Sequence, residues 1–290
     1  MRSEVLLKVA SINPEYEHEI NSRSSQMSTF PKYLKLSAVV ATGLALYAHG
    51  APPAQNIDLK PYQRIENVVV PLPNEIFGAL NKLGTVNWKE HVRSDKGGNF
   101  TERPRIALLL GTVIADGFIA VQAEDAPTVK EIGQRVLTLA KGIGVGNSIT
   151  PHAKAIIEAA DKRKWENVRR ELDSTQNSVQ QAMIEVQDQK LSELVSLGGW
   201  LRGTAVLTSV VSKKFSQDGA ELLHQPDLID HFQGQLKDLS ANYNVPIVKE
   251  IQTALGEVKP LIGSAQITAA SVKKINDITT RLDHGIVTKD

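Results

Sequence analysis

Two long stretches of the sequence are apolar on nearly every side of a helix. Residues 106–123 and residues 191–211 are each long enough for about five helical turns. A helix that is apolar all round is buried, either inside a domain or in a membrane. Each stretch carries one charge near its middle, Asp116 in the first and Arg202 in the second. The pattern predicts that these are the two central helices of a packed helical domain.

The two central charges bear on whether these helices lie in a membrane. A charge in the middle of a membrane span costs a few kcal/mol unless it is paired, and the neighbouring segments are amphipathic, as in soluble domains. We therefore predict that the mature chain does not span a membrane.

A charge buried in a protein core also needs a partner. Because Asp116 and Arg202 have opposite signs, we predict that they form a structural buried pair between the two helices.

Glycines recur in both central helices at similar positions. Gly111 and Gly117 lie in the first helix, and Gly198 and Gly203 lie in the second. Glycine inside a helix costs roughly 1 kcal/mol relative to alanine, so four of them favour a close approach of two backbones. The shared pattern is short, and chance explains it as well as an internal duplication does.

The rest of the mature sequence follows helical rather than strand periodicity. Helices are predicted over 74–83, 128–141, 150–160, 162–187, 216–223, 227–239, 246–255 and 264–282, with a further turn or two at 87–93. Gly256 and the pair Lys259-Pro260 are predicted to end and interrupt the helix that Pro246 begins. No segment sustains a period of two. The predicted fold is all-α, a single bundle-like domain over residues 101–290.

The N-terminal part has the features of an export signal. Residues 27–50 contain Lys32 and Lys35, then an apolar run over 36–48 and small residues before Ala51. This is typical of a signal peptide cleaved near Gly50, and an uncleaved anchor helix is the alternative. Residues 1–26 are interpreted as a mis-annotated or disordered extension. Residues 51–100 are predicted to be an extended, proline-rich arm with short helices, which includes an apolar strand or strap at 68–70.

Composition excludes several kinds of function. The chain has 41% hydrophobic and 22% charged residues with a net charge of +1, which argues against a dedicated nucleic-acid binder with a basic face. Aromatic residues make up only 5% of the chain, so stacking platforms for single strands are scarce. There is no cysteine, which excludes disulfides, thiolate nucleophiles and cysteine-ligated metals.

One cluster has spacing that could suit a metal ion. Glu221 and His224 are three residues apart, which places them on one helical face, and Asp227 and His231 follow. Di-iron helical bundles need two such motifs and further carboxylates, whereas the mature chain has one, and Pro226 interrupts the helix. Solvated polar residues at a helix junction are therefore the favoured interpretation, and a metal site is the alternative.

Other candidate sites are weaker. The run Gly142-x-Gly144-x-Gly146 follows a helical pattern instead of a strand and lacks a following Lys-Ser/Thr, so it predicts a helix stop rather than a phosphate loop. No Gly-x-Ser-x-Gly elbow is present, and the sequence gives no catalytic residue and implies no cofactor. Trp200, beside Arg202, is the tryptophan that would line a ligand pocket if one exists, although core packing is the simpler role.

These observations favour an exported cell-envelope protein, periplasmic or extracellular, that acts by binding or scaffolding rather than by catalysis. Its partner is expected to be a protein or a small molecule and not a nucleic acid. The alternative is a helical metal-binding protein or enzyme with its site around Glu221, His224, Asp227 and His231.

Overall fold

The computed structural model describes residues 73–94, 97–240 and 245–288, which all lie in one compact unit, Glu66–Asp290. Within these ranges the chain forms helices and no strand, so the predicted all-α class is confirmed. The predicted signal peptide, residues 27–50, and the arm before residue 73 lie outside the described residues.

The helices follow one another with short connections. They are α1 (Pro73–Leu83), a short 3-10 helix (Trp88–His91), α2 (Arg103–Gln122), α3 (Ala126–Gly142), α4 (Gly146–Asp161), α5 (Trp165–Glu185), α6 (Gln189–Lys213), α7 (Gln217–Glu221), α8 (Pro226–Ser240), α9 (Pro246–Ile262) and α10 (Ala269–Val287).

Helices α2 and α6 are the centre of the fold, as their all-round apolar pattern predicts. Both are long and apolar enough to cross a membrane by length and composition alone. However, 94% of the apolar window of α2 and 83% of that of α6 are buried against other helices. Burial of this kind is what the core helix of a soluble domain shows.

The backbones of α2 and α6 touch at two of the four glycines. A Cβ atom at Gly111 would lie 1.8 Å from the carbonyl oxygen of Val195, and one at Gly198 would lie 2.0 Å from that of Leu108. Only glycine leaves room for such an approach. Gly117 instead faces the side chain of Leu172, and Gly203 has only Ile76 nearby, at 3.6 Å. The predicted close approach is therefore present at Gly111 and Gly198 only.

The remaining helices surround this central pair. Helices α3, α4 and α5 pack one against the next, and α2 contacts both α3 and α5, so these four helices close an antiparallel bundle. Helix α10 lies along α6, α9 packs on α10, and α8 packs on α9. Helix α1 contacts α6 and α2, and the 3-10 helix contacts α2. The central pair thus has neighbours on several sides.

Four successive connections share one backbone geometry. The three-residue loops after α2, α3, α4 and α5 each place their middle residue at positive φ: Glu124 (55°), Gly144 (92°), Arg163 (51°) and Gln187 (56°). In each loop the next amide donates to a carbonyl five residues earlier, as from Asp125 to Ala120 at 2.9 Å and from Asp188 to Met183 at 2.8 Å. These are Schellman-type helix ends. The glycine run is therefore a helix stop, with Gly142 ending α3 and Gly146 beginning α4.

Several predicted helix boundaries are wrong, including those of the last helix, which was predicted over 264–282 and runs from Ala269 to Val287. Helix α9 continues through Gly256 and Pro260 to Ile262. Pro260 lies in the last turn, where its missing amide removes one intrahelical hydrogen bond. Similarly, α4 begins at Gly146 and contains Pro151 in its second turn, so a proline near a helix end did not mark the boundary.

The segment before α2 is part of the core rather than an arm. Phe77 and Leu80 of α1 are buried at 0% and 2% exposure, and Trp88 is buried beside them. The rings of Phe77 and Trp88 are 5.0 Å apart. The indole Nε1 of Trp88 donates to the side chain of Asn81 at 2.8 Å. The boundary predicted between residues 100 and 101 therefore does not separate residues 73–94 from the helical unit.

Candidate functional site

Asp116 of α2 and Arg202 of α6 lie next to each other between the central helices. The Nε atom of Arg202 donates to Oδ1 of Asp116 at 2.8 Å. The Asp116 side chain is 3% exposed and that of Arg202 is 12% exposed. The two opposite charges that the sequence places in apolar helices are thus in direct contact.

Two further charged residues, which the sequence reasoning missed, complete a buried charge network. Arg93 donates from Nη2 to Oδ2 of Asp116 at 2.6 Å and from Nη1 to Oδ2 of Asp283 at 2.9 Å. Arg202 Nη1 also lies 3.5 Å from Oδ2 of Asp283. The buried charge network therefore consists of Arg93, Asp116, Arg202 and Asp283, with two positive and two negative groups.

The network has one polar atom that is not satisfied. Oδ1 of Asp283 is buried and has no hydrogen-bond partner among the described residues. Burial raises the pKa of Asp283, although Arg93 and Arg202 act against this shift. For Arg93, burial opposes the charged form, but Asp116 and Asp283 outweigh it and raise the pKa. Arg93 therefore remains charged, and burial disfavours the charged form of Asp283.

The network also fixes the loop that follows α1. Arg202 Nη2 donates to the backbone carbonyl of His91 at 2.7 Å, and Arg93 lies only two residues further along. Together they tie the 3-10 helix Trp88–His91 to α2 and α6. These bonds add to the buried ring of Trp88 in holding this short helix, since 3-10 segments have poor hydrogen-bond geometry of their own.

The outer side of the 3-10 helix borders the α1–α6 groove, a surface depression of about 320 Å³. Its lining includes Leu83, Val86, His91, Val210, Lys213 and Phe215. Leu83 is 47% exposed and Phe215 is 41% exposed, and they are two of the four large hydrophobic residues described as exposed. Apolar side chains that converge in a depression are typical of a binding site.

The lining of the α1–α6 groove carries one more positive than negative charge, since it contains Lys213, Lys214 and Glu90. Lys213 pairs with Glu90, while Lys214 lies beside it on the exposed edge. Burial lowers the pKa of His91, and the charges of Lys213 and Arg202 lower it further. His91 is therefore neutral at neutral pH, and the positive charge of the groove comes from lysine.

The structure does not group the four residues of the metal hypothesis as a metal ion would require. Helix α7 ends at Glu221 and α8 begins at Pro226, so the helical register that would align Glu221 with His224 is lost. His231 Nε2 instead lies 3.0 Å from Oε2 of Glu193 on α6. Across residues 73–94, 97–240 and 245–288, no three His, Asp or Glu side chains are grouped so that they could hold a metal ion.

Trp200 is a packing residue. It is 2% exposed, its ring lies 5.5 Å from that of Phe232, and its Nε1 donates to Gln225 at 3.1 Å. It does not line the α1–α6 groove, so the proximity of Trp200 to Arg202 in the sequence did not indicate a pocket.

No protein-family model matches the chain, and no curated protein and no solved structure matches it.

Proposed function

We propose that the chain is an exported helical protein of a bacterial cell envelope that acts by binding rather than by catalysis, through the α1–α6 groove. The observation that carries this proposal is the exposure of Leu83 and Phe215 in one depression. Exposed apolar groups are costly to keep in water. A groove that brings them together supports a role in which a partner covers them.

The groove also indicates the chemistry of the partner. Exposed apolar side chains beside Lys214, with Lys213 already paired to Glu90, fit a ligand or protein segment that presents an apolar group next to a negative charge. Opposite charges at the rim of a site favour recognition and association rate more than they add affinity. The apolar contacts with Leu83 and Phe215 would therefore supply most of the binding free energy.

The buried charge network serves this function as a support. Each of its groups bonds to another member or to the His91 carbonyl, so its charges are used within the core. Its contribution to binding is to hold one wall of the groove in place before a partner arrives. A preformed wall lowers the ordering cost of binding.

The proposal is tested with anilinonaphthalene sulfonate, an apolar anionic dye that fluoresces when it leaves water. The purified chain should bind the dye in a saturable titration. Leu83→Ser and Phe215→Ser should each weaken binding about tenfold, or roughly 1.4 kcal/mol. Lys214→Gln should weaken binding of this dye but leave binding of a neutral apolar dye unchanged.

Ile184→Ser is the matched control, because Ile184 is 49% exposed and does not line the groove. It should leave dye binding unaltered. If Ile184→Ser weakens binding as much as Leu83→Ser does, or if the dye does not bind, the groove is not the binding surface.

A further inference from the structure

A serine, a histidine and a glutamate form a hydrogen-bonded row on the surface between α4 and α5, apart from the α1–α6 groove. The ring of His152 on α4 lies between two residues of α5. Its Nδ1 atom is 2.9 Å from Oε2 of Glu171, and its Nε2 atom is 2.8 Å from Oγ of Ser178. Glu171 and Ser178 are seven residues apart, which is about two helical turns, so they share one helical face.

The hydrogen bonds define where the protons lie. A carboxylate oxygen only accepts, so Nδ1 of His152 must carry the hydrogen that it donates to Glu171. In a neutral imidazole the other nitrogen, Nε2, is then an acceptor. The hydroxyl of Ser178 therefore donates to Nε2, which is the arrangement in which histidine can take the serine proton.

We infer that Ser178 is an activated nucleophile and a site of covalent acylation by activated acyl donors. A nucleophile in hydrogen-bond reach of a base, with the base oriented by a third group, is the arrangement that activates serine. The side chains of His152 and Glu171 are 24% and 32% exposed, and Ser178 is half-buried. A small reagent can therefore reach them from solvent.

The reaction with an aryl ester balances without any further reagent. Oγ of Ser178 attacks the carbonyl carbon while its proton passes to Nε2 of His152. The tetrahedral intermediate collapses as the bond from carbon to the aryl oxygen breaks. The phenolate leaves and takes the proton from His152. The products are one acyl-Ser178 ester and one phenol.

The position of Ser178 in the fold restricts both the acyl donors that can react and the fate of the acyl-serine. Ser178 lies well inside α5 (Trp165–Glu185), where backbone amides are occupied by helical hydrogen bonds. These amides cannot form an oxyanion hole, which is usually the largest single contribution to catalysis of acyl transfer. Only acyl groups with a good leaving group should react, and the acyl-serine should hydrolyse slowly. The expected chemistry is one acylation per chain rather than sustained turnover.

The test uses p-nitrophenyl acetate with the purified full chain. One equivalent of p-nitrophenolate should appear in a burst, and peptide mass mapping should find the acetyl group on Ser178. Ser178→Ala should abolish the burst. His152→Gln should slow acetylation of Ser178 about a hundredfold, because general-base catalysis contributes roughly 10²–10⁴-fold.

Ser174→Ala is the matched control, since Ser174 lies one turn earlier on α5, and it should leave the burst unchanged. Circular dichroism and thermal melting of His152→Gln establish that this variant is folded. Acetylation that does not select Ser178, or that proceeds at the same rate in folded His152→Gln, would overturn the inference. Dye binding in the α1–α6 groove is independent of this reaction, so the two proposals fail separately.

Discussion

The carbonyl oxygen of Val195 occupies the space in which a side chain at Gly111 would begin. A Cβ atom there would lie only 1.8 Å from that oxygen. The facing contact, from Gly198 to the carbonyl of Leu108, is equally close at 2.0 Å. The separation of α2 and α6 is therefore set by these two glycines.

Alanine at either of these glycines should destabilise the protein strongly. Because each Cβ would meet backbone, the two central helices must move apart, and overpacking of a core costs about 1–3 kcal/mol or more. Gly111→Ala and Gly198→Ala should each lower the free energy of unfolding by about 3 kcal/mol, measured by urea denaturation. Gly203→Ala is the control, since its Cβ would meet only Ile76 at 3.6 Å. It should be neutral or stabilise by up to about 1 kcal/mol. Equal losses in all three variants would contradict the close contact.

The costs of removing Asp116 and of removing Arg202 from the buried charge network should not be additive. Asp116→Ala or Arg202→Ala leaves an uncompensated buried charge, which typically costs about 3–5 kcal/mol. The double variant should cost much less than the sum, because Arg93 and Asp283 remain paired at 2.9 Å. The same cycle on the exposed pair Lys130 and Asp161 should give coupling of about 1 kcal/mol or less. Additive, small effects in the first cycle would rule out a coupled network.

The carboxyl of Asp173 should make stability fall between mildly acidic and neutral pH. Burial, together with the charges of Glu75 and Glu166, raises the pKa of Asp173 to about 6. Its Oδ1 atom is buried with no hydrogen-bond partner in the described part of the chain. The folded state therefore holds this proton more tightly than the unfolded state does. The contribution of this proton to the free energy of unfolding is fully present below about pH 4 and is lost as the pH rises through 6.

Asp173→Asn removes this titration. It should stabilise the protein at pH 7.5 by about 1–2 kcal/mol, after allowance for solvent screening, and have little effect near pH 4. Urea denaturation at both pH values measures the difference. Asp277→Asn, which alters an exposed carboxylate paired with Lys273, is the control and should change little at either pH. An equal effect of Asp173→Asn at both pH values would contradict the assignment.

The export proposal predicts a defined N-terminus. Expression of the full chain in a Gram-negative host should give a periplasmic product that begins at or near Ala51, as determined by N-terminal sequencing. Substitution of two apolar residues within 36–48 by charged residues should keep the chain in the cytoplasm, because the apolar segment of a signal peptide must enter the membrane. An intact, membrane-bound chain would show that this segment is an anchor instead.

The central helices could be predicted because their signal is strong and local. Residues that are apolar on every face have no place on a surface, so α2 and α6 followed directly from the pattern. The loops could not be predicted in the same way. Glu124, Arg163 and Gln187 take positive φ angles that glycine usually marks, and hydrogen bonds back to the preceding helix hold them there. Of the four loop residues at positive φ, only Gly144 is a glycine, so only this loop could be recognised from the sequence.

Half of the buried charge network was visible in the sequence. Asp116 and Arg202 stand out against apolar neighbours, whereas Arg93 lies in a short irregular segment with no periodicity to indicate its burial. Asp283 had a usable signal, since it follows the buried positions Ile275 and Thr279 at four-residue spacing. The α1–α6 groove had no such signal, because Leu83 and Phe215 are far apart in the chain and line one depression only through the packing of α1 on α6.

The order of the four network residues along the chain bears on when the protein can fold. Arg93 and Asp283 are 190 positions apart, and Asp283 lies in the last helix. During synthesis the first three members emerge with one negative and two positive charges, and a compact core formed at that stage would enclose an unbalanced charge. Charge balance in the core is reached only when the last helix has been made. Completion of the charge-balanced core is therefore tied to α10, which supplies Asp283.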